Sequence, residues 1–163
     1  MDKSKSFLKQ FLAIIVFITT FGLAATINVP AGQTTIQAGL SAASDGDTVL
    51  VQPGTYTENI FWPETNGIKL ISAGDSSNTI IDGGGVSSVI YMNPQSATID
   101  TTTLIQGFKI TNGGNVSNGG GLFIKGASIK ITNSRIIENS ANLCGGGIYL
   151  YESNSIVNNV MLN

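Results

Sequence analysis

Seven residues, Asn118-Gly119-Gly120-Gly121-Leu122-Phe123-Ile124, return 26 positions later as Cys144-Gly145-Gly146-Gly147-Ile148-Tyr149-Leu150. The same shift puts Ile105, Ile131 and Val157 in one column, Ile110, Ile136 and Leu162 in a second, and Asn133 and Asn159 in a third. A period of this length marks a repeat architecture, in which a unit too small to bury its own apolar face stacks on its neighbours to do so. Within a unit the apolar residues alternate over short runs, as Leu122 and Ile124 or Ile129 and Ile131 do, separated by Gly, Asn and Ser. That is the chemistry of strands and turns. Strands so short become stable when successive coils lie about 4.8 Å apart and their inward side chains form ladders. The sequence therefore predicts an all-β fold, a right-handed parallel β-helix solenoid of about 26 residues per coil and about five coils. The Gly triplets are expected at tight corners that need positive φ. Asn at a repeated turn tolerates the left-handed region, and its amide can bond its copy one coil away.

Composition narrows the class further. Of 163 residues 11% are charged and 20 are glycine, which excludes a helical bundle, a coiled coil and a charge-driven disordered tail. Histidine is absent, so His-dependent triads, most His-ligated zinc sites and imidazole bases are excluded as well. Ten acids against eight bases, with no basic run in the body of the chain, argue against a nucleic-acid partner. Cys144 is the only cysteine and has no partner for an intramolecular disulfide. It reads as a buried small hydrophobe, with an intermolecular bridge as the alternative.

Residues 1–24 form a separate unit. Lys3, Lys5 and Lys9 precede an apolar run from Phe11 to Ala25, the pattern of a secretory signal peptide with Gly22 and Ala24 at the small-residue positions. The run is short for a bilayer span of about 20 residues, so no membrane span is expected after cleavage and the exported part is expected outside the cell or on its surface. Residues 25–60 read as an N-terminal cap and first coil. Thr34 to Ala43, with Ile36 and Leu40 at helical spacing, predicts a short helix covering the open end of the solenoid. The segment 61–163 reads as further coils, expected to continue past Asn163 because no closing cap follows Leu162.

The run from Ile36 to Ile60 (IQAGLSAASDGDTVLVQPGTYTENI) and that from Ile68 to Gly85 (IKLISAGDSSNTIIDGGG) resemble the opening of pectin-lyase-like parallel β-helix proteins. That superfamily includes pectate lyases, pectin methylesterases, polygalacturonases and many secreted surface proteins. The later segments GGGLFI, IIEN and GGGIYL are more weakly similar to the repeats of polymorphic outer-membrane proteins, with Gly in place of Ala and Ile136 where Phe would stand before Asn139. The resemblance implies a cell-surface or outer-membrane adhesin, or a polysaccharide-active enzyme using clustered acids.

The acids do not cluster in sequence. Asp45 and Asp47 flank a glycine in the cap, Asp82 precedes three glycines, and Asp100 and Glu152 lie 52 residues apart with Gly126 between. Turn formation accounts for Asp beside Gly; no metal site, cofactor or catalytic residue is assigned, calcium entering only under a lyase reading. Alternation places Leu122, Ile124, Ile148 and Leu150 inward and Phe123, Lys125, Tyr149 and Tyr151 outward. Those aromatic rings suit sugar stacking, a protein contact, or a ladder that stiffens the sheet. Lys109 and Arg135 share a column and read either as a clamp for an acidic sugar or as solvated surface charges. Trp62 reads as an exposed binding residue or a packed loop residue, and Asn115-Val116-Ser117 is a glycosylation sequon. The expected function is a secreted or cell-surface module for adhesion or polysaccharide binding. The alternative is the N-terminal part of a lyase or hydrolase whose active site lies beyond residue 163.

Overall fold

A computed structural model describes residues 23–163. The signal-peptide segment lies outside the described residues except for its last two, and among the described residues no helix is long and apolar enough to cross a membrane. The elements in chain order are β1 (Thr26–Val29), α1 (Ile36–Ala42), β2 (Thr48–Val51), β3 (Gly54–Thr57), β4 (Ile60–Phe61), β5 (Lys69–Ser72) and β6 (Thr79–Asp82). They continue as β7 (Ile90–Met92), β8 (Leu104–Gln106), β9 (Lys109–Thr111), β10 (Leu122–Lys125), β11 (Lys130–Ile136), β12 (Ile148–Tyr151) and β13 (Ile156–Leu162). Every strand pairing is parallel and joins one coil to the next. The fold is a parallel β-solenoid of about 5 turns.

Three faces run along it. Face A stacks β1, β2, β5, β8 and the first halves of β11 and β13; face B stacks β3, β6, β9 and the second halves of the same two strands. Face C stacks β4, β7, β10 and β12. The bend from face A to face B falls at one column: Gly107 (φ 84), Asn133 (φ 51) and Asn159 (φ 52). Asn159 Nδ2 donates to Asn133 Oδ1 at 2.7 Å, the coil-to-coil amide bond expected from the repeated Asn.

Inward columns fill the interior. Val49, Leu70, Ile105 and Ile131 are in register on face A, Ile81, Ile110 and Ile136 on face B, and Ile60, Ile90 and Leu122 on face C, all fully buried. The 26-residue period is that of the last coils only. Registered partners Thr26 and Thr48 are 22 apart, Thr48 and Lys69 21, Lys69 and Leu104 35, then Leu104, Lys130 and Ile156 26 each.

The N-terminal end is closed by α1. Thr35 caps it, its side chain accepting from Ala38 N at 3.1 Å, and the Glu58 carboxylate accepts from Ile36 N and Gln37 N, both at 2.9 Å. Ile36 and Leu40 are buried against the first coil. The Gln37 amide takes the place of a missing strand: its Oε1 accepts from Phe61 N at 2.8 Å and its Nε2 donates to Phe61 O at 3.1 Å. Asp47 ties the chain start to the cap turn, accepting from Ala25 N (2.7 Å) and Ser44 N (2.8 Å).

One sequence expectation needs correction. Cys144 is exposed, because it opens the Gly-triplet turn beside Asn118 one coil below, where the side chain lies in solvent. The triplets carry the positive φ expected of corners at Gly84 (65), Gly85 (73), Gly119 (68) and Gly145 (65), and in the two repeated triplets the other glycines answer to a second demand. The triplets stack directly, Gly119 N, Gly120 N and Gly121 N donating to Cys144 O, Gly145 O and Gly146 O, and close approach of backbones excludes a side chain. A Cβ on Gly120 would stand 2.1 Å from Ser140 O and 2.7 Å from Gly146 O. Gly120→Ala is thus expected to lower stability by more than about 3 kcal/mol, the range reserved for strain that backbone cannot relieve. Urea denaturation of variant and parent would check this, and an unchanged midpoint would show that the corner is loose.

Candidate binding site

Alternation on face C turns Ile90, Met92, Leu122 and Ile124 into the core and leaves Tyr91, Phe123 and Tyr149 outside. Phe61, Tyr91, Phe123 and Tyr149 are registered neighbours on successive coils. Tyr91 and Phe123 stack at 4.8 Å and 8°, Phe123 and Tyr149 at 5.3 Å and 21°, while Phe61 is tilted 52° to Tyr91 at 5.9 Å. Each such pair is worth about 0.5–1.5 kcal/mol beyond area burial, so the ladder stiffens the sheet. It also presents a continuous apolar stripe of ring edges, ending in Phe61, which is 59% exposed. In the next outward column Lys125 Nζ lies 5.7 Å from the centre of the Tyr151 ring, a cation–π pair.

Phe61 and Tyr91 escape the 26-residue repeat because they lie 30 and 32 residues back along the ladder, in the irregular coils. The local pattern marks them all the same: Ile60-Phe61 and Ile90-Tyr91-Met92 repeat the apolar-aromatic order of Leu122-Phe123-Ile124 and Ile148-Tyr149-Leu150.

Beside the ladder runs a cleft of about 350 Å³. Its lining is Phe61, Tyr91 and Phe123 with Ser87, Ser88, Val116, Ser117 and Asn118. The loop carrying Val116, Ser117 and Asn118 is tied to both neighbouring coils. Gly114 N donates to Ser87 O at 3.1 Å, while Asn142 N and Leu143 N donate to Val116 O and Ser117 O at 2.8 and 2.9 Å. Asn139 braces its base, Oδ1 accepting from Gly113 N (2.8 Å) and Nδ2 donating to Ile110 O and Ile137 O (both 3.0 Å).

The sequence-predicted residues separate into two places. Phe123, Lys125, Tyr149 and Tyr151 share face C; Lys109 and Arg135 are registered partners on face B. Lys109 Nζ is 2.9 Å from Glu138 Oε2, which also accepts from Thr111 Oγ1 at 3.0 Å, and the Arg135 Nε is buried with no partner among the described residues. Trp62 is packed into the core at 7% exposure, its indole N–H unpaired among the described residues, and takes no part in the surface. The sequon's Asn115 is exposed on the cleft loop.

The acids serve the turns. The hydrogen bond to Ala25 N first, and that to Ser44 N, hold Asp47 below the ordinary carboxylate range. Glu64 is lowered by Ser96 and by the backbone of Gln95, Asp75 by Ser77, and Asp100 by Thr102. Glu138 is lowered chiefly by its bond to Lys109, then by Thr111. Asp82 accepts from Gly84 N and Asn112 Nδ2, both at 2.9 Å. Among the described residues no group of three or more acids or cysteines is placed to hold a metal ion. Comparison with known proteins finds no matching family model, curated protein or solved structure.

A lowered carboxylate stabilises the fold in its charged form. That contribution is whole above the unfolded value near pH 4 and is lost as the pH falls through the lower folded value. The urea midpoint is therefore expected to hold level from about pH 8 to about pH 5 and to drop below about pH 4. Glu64→Gln should start lower and fall less; a midpoint that rises on acidification would contradict the assignment.

Proposed function

We propose that the chain is an exported β-helix module of the pectin-lyase-like kind that binds polysaccharide, or a glycan-bearing surface, along face C. The observation that carries this reading is the aromatic ladder from Phe61 to Tyr149, three of whose four members line a cleft together with serine and asparagine side chains. A ladder whose whole purpose is stiffness needs no cleft. Sugars present alternating apolar C–H patches and hydroxyls, and an aromatic stripe beside hydroxyl and amide groups offers both kinds of contact. Successive coils lie about 4.8 Å apart, so the rungs of the ladder offer an extended sugar chain a regular series of rings. Export rests on the N-terminal sequence, with its basic start and short apolar run.

The test is affinity electrophoresis of the mature chain through gels containing single polysaccharides. At least one polysaccharide is expected to retard it. Phe61→Ala removes the exposed ring and leaves the three stacked rings in place, and should weaken retardation about threefold to tenfold, the value of one aromatic contact. Migration unaffected by every polysaccharide, or binding that Phe61→Ala leaves intact, would overturn the reading.

A further inference from the structure

The cleft on face C contains no charged side chain. Its lining is three aromatic rings, one valine, three serines and one asparagine. The cations nearest in the sequence reading are placed elsewhere: Lys125 stands over Tyr151, and Lys109 and Arg135 are on face B, Lys109 bound to Glu138. A sugar carboxylate entering the cleft would lose water and gain no cationic partner, which is unfavourable for an anion.

The polar side chains of the lining are small and uncharged. Elsewhere Asn59, Gln37, Asn139 and Ser134 each tie a backbone group or another coil. Ser88 is 3% exposed and lines the cleft, where its carbonyl accepts from Asn59 Nδ2 at 3.1 Å. Beside it the backbone is bonded at Ser87 O, Ser117 O and Gly119 N, and the side chains of Ser87, Ser117 and Asn118 line the cleft. Each of these four groups donates and accepts, as sugar hydroxyls do.

From this uncharged lining we infer that the cleft takes an uncharged sugar residue, held as one unit of a neutral polysaccharide, with sugar hydroxyls bonded to the serine and asparagine side chains and the apolar side of the ring against Phe61, Tyr91 and Phe123. The volume of about 350 Å³ is at the small end of ligand pockets and suits a short stretch of such a chain. This inference rests on the polysaccharide-binding reading of face C and narrows it to neutral substrates.

Hydroxyethyl cellulose, galactomannan and dextran, set against polygalacturonate and alginate, separate the two ideas when binding is followed at low and high salt. A neutral polysaccharide is expected to bind, with affinity changing less than about twofold between the two salt conditions, since no ion pair forms. Ser88→Val should weaken binding about fivefold to tenfold. Asn118→Asp, at a half-buried position, gives a second reading of the same cleft should Ser88→Val fail to fold, and should weaken binding to a comparable degree. Far-UV circular dichroism reports whether each variant is folded. Binding confined to the acidic polymers and abolished by salt would overturn the neutral-sugar inference and leave the polysaccharide reading standing. Neutral binding untouched by both variants would also overturn it, placing the site outside the cleft. No binding to any polymer would remove both.

Discussion

Parallel hydrogen bonding of each coil to the next governs everything else in this molecule. Once Leu122 is registered with Ile90 and with Ile148, each strand residue of an inner coil has a fixed neighbour directly above and below it. Side chains of one kind then meet their own kind, as apolar columns inside, as an amide pair at Asn133 and Asn159, and as stacked rings outside on face C. Contacts that in a globular domain require long-range folding geometry arise here from register alone.

Register tolerates much variation between the strands. The coil spacing ranges from 21 residues, between Thr48 and Lys69, to 35, between Lys69 and Leu104, without disturbing the faces. The extra length leaves as loops, and each loop is pinned by polar groups: Glu64 gathers Gln95 N, Ser96 and Ala97 N, and Asn66 and Asp100 hold the following turn. The cleft follows from the same freedom. The segment through Val116, Ser117 and Asn118 is longer than a tight corner needs, and it stands beside the ring ladder instead of closing over the core.

Much of this was legible in the sequence where the period was regular. The three-residue columns at Ile105 and Ile110, the Asn133 and Asn159 pair, the cap helix and the outward direction of Phe123 and Tyr149 all follow from alternation and a constant shift. Phe61 and Tyr91 were hidden because loop insertions change the shift without changing the register. The roles of Gly120 and Cys144 were hidden for another reason: what surrounds a corner depends on how closely the next coil's carbonyls approach, here 2.1 Å from a would-be Cβ to Ser140 O, and no local pattern carries that distance. The separation of Lys109 and Arg135 from the aromatic rings is a matter of which face each strand joins, set by the bend at Gly107 and Asn133.

The Gln37 amide has a consequence for how the chain behaves in company. A β-solenoid is a stack of unsatisfied strand edges at its first coil, and an open parallel edge is a template for any other extended chain. With the Gln37 side chain occupying both the N–H and the carbonyl of Phe61, and α1 lying over the coil with Val29 and Val49 packed close to Gly39, that edge of face C offers no free backbone group at Phe61. At Phe61, therefore, the first coil is closed on face C to the addition of another extended chain.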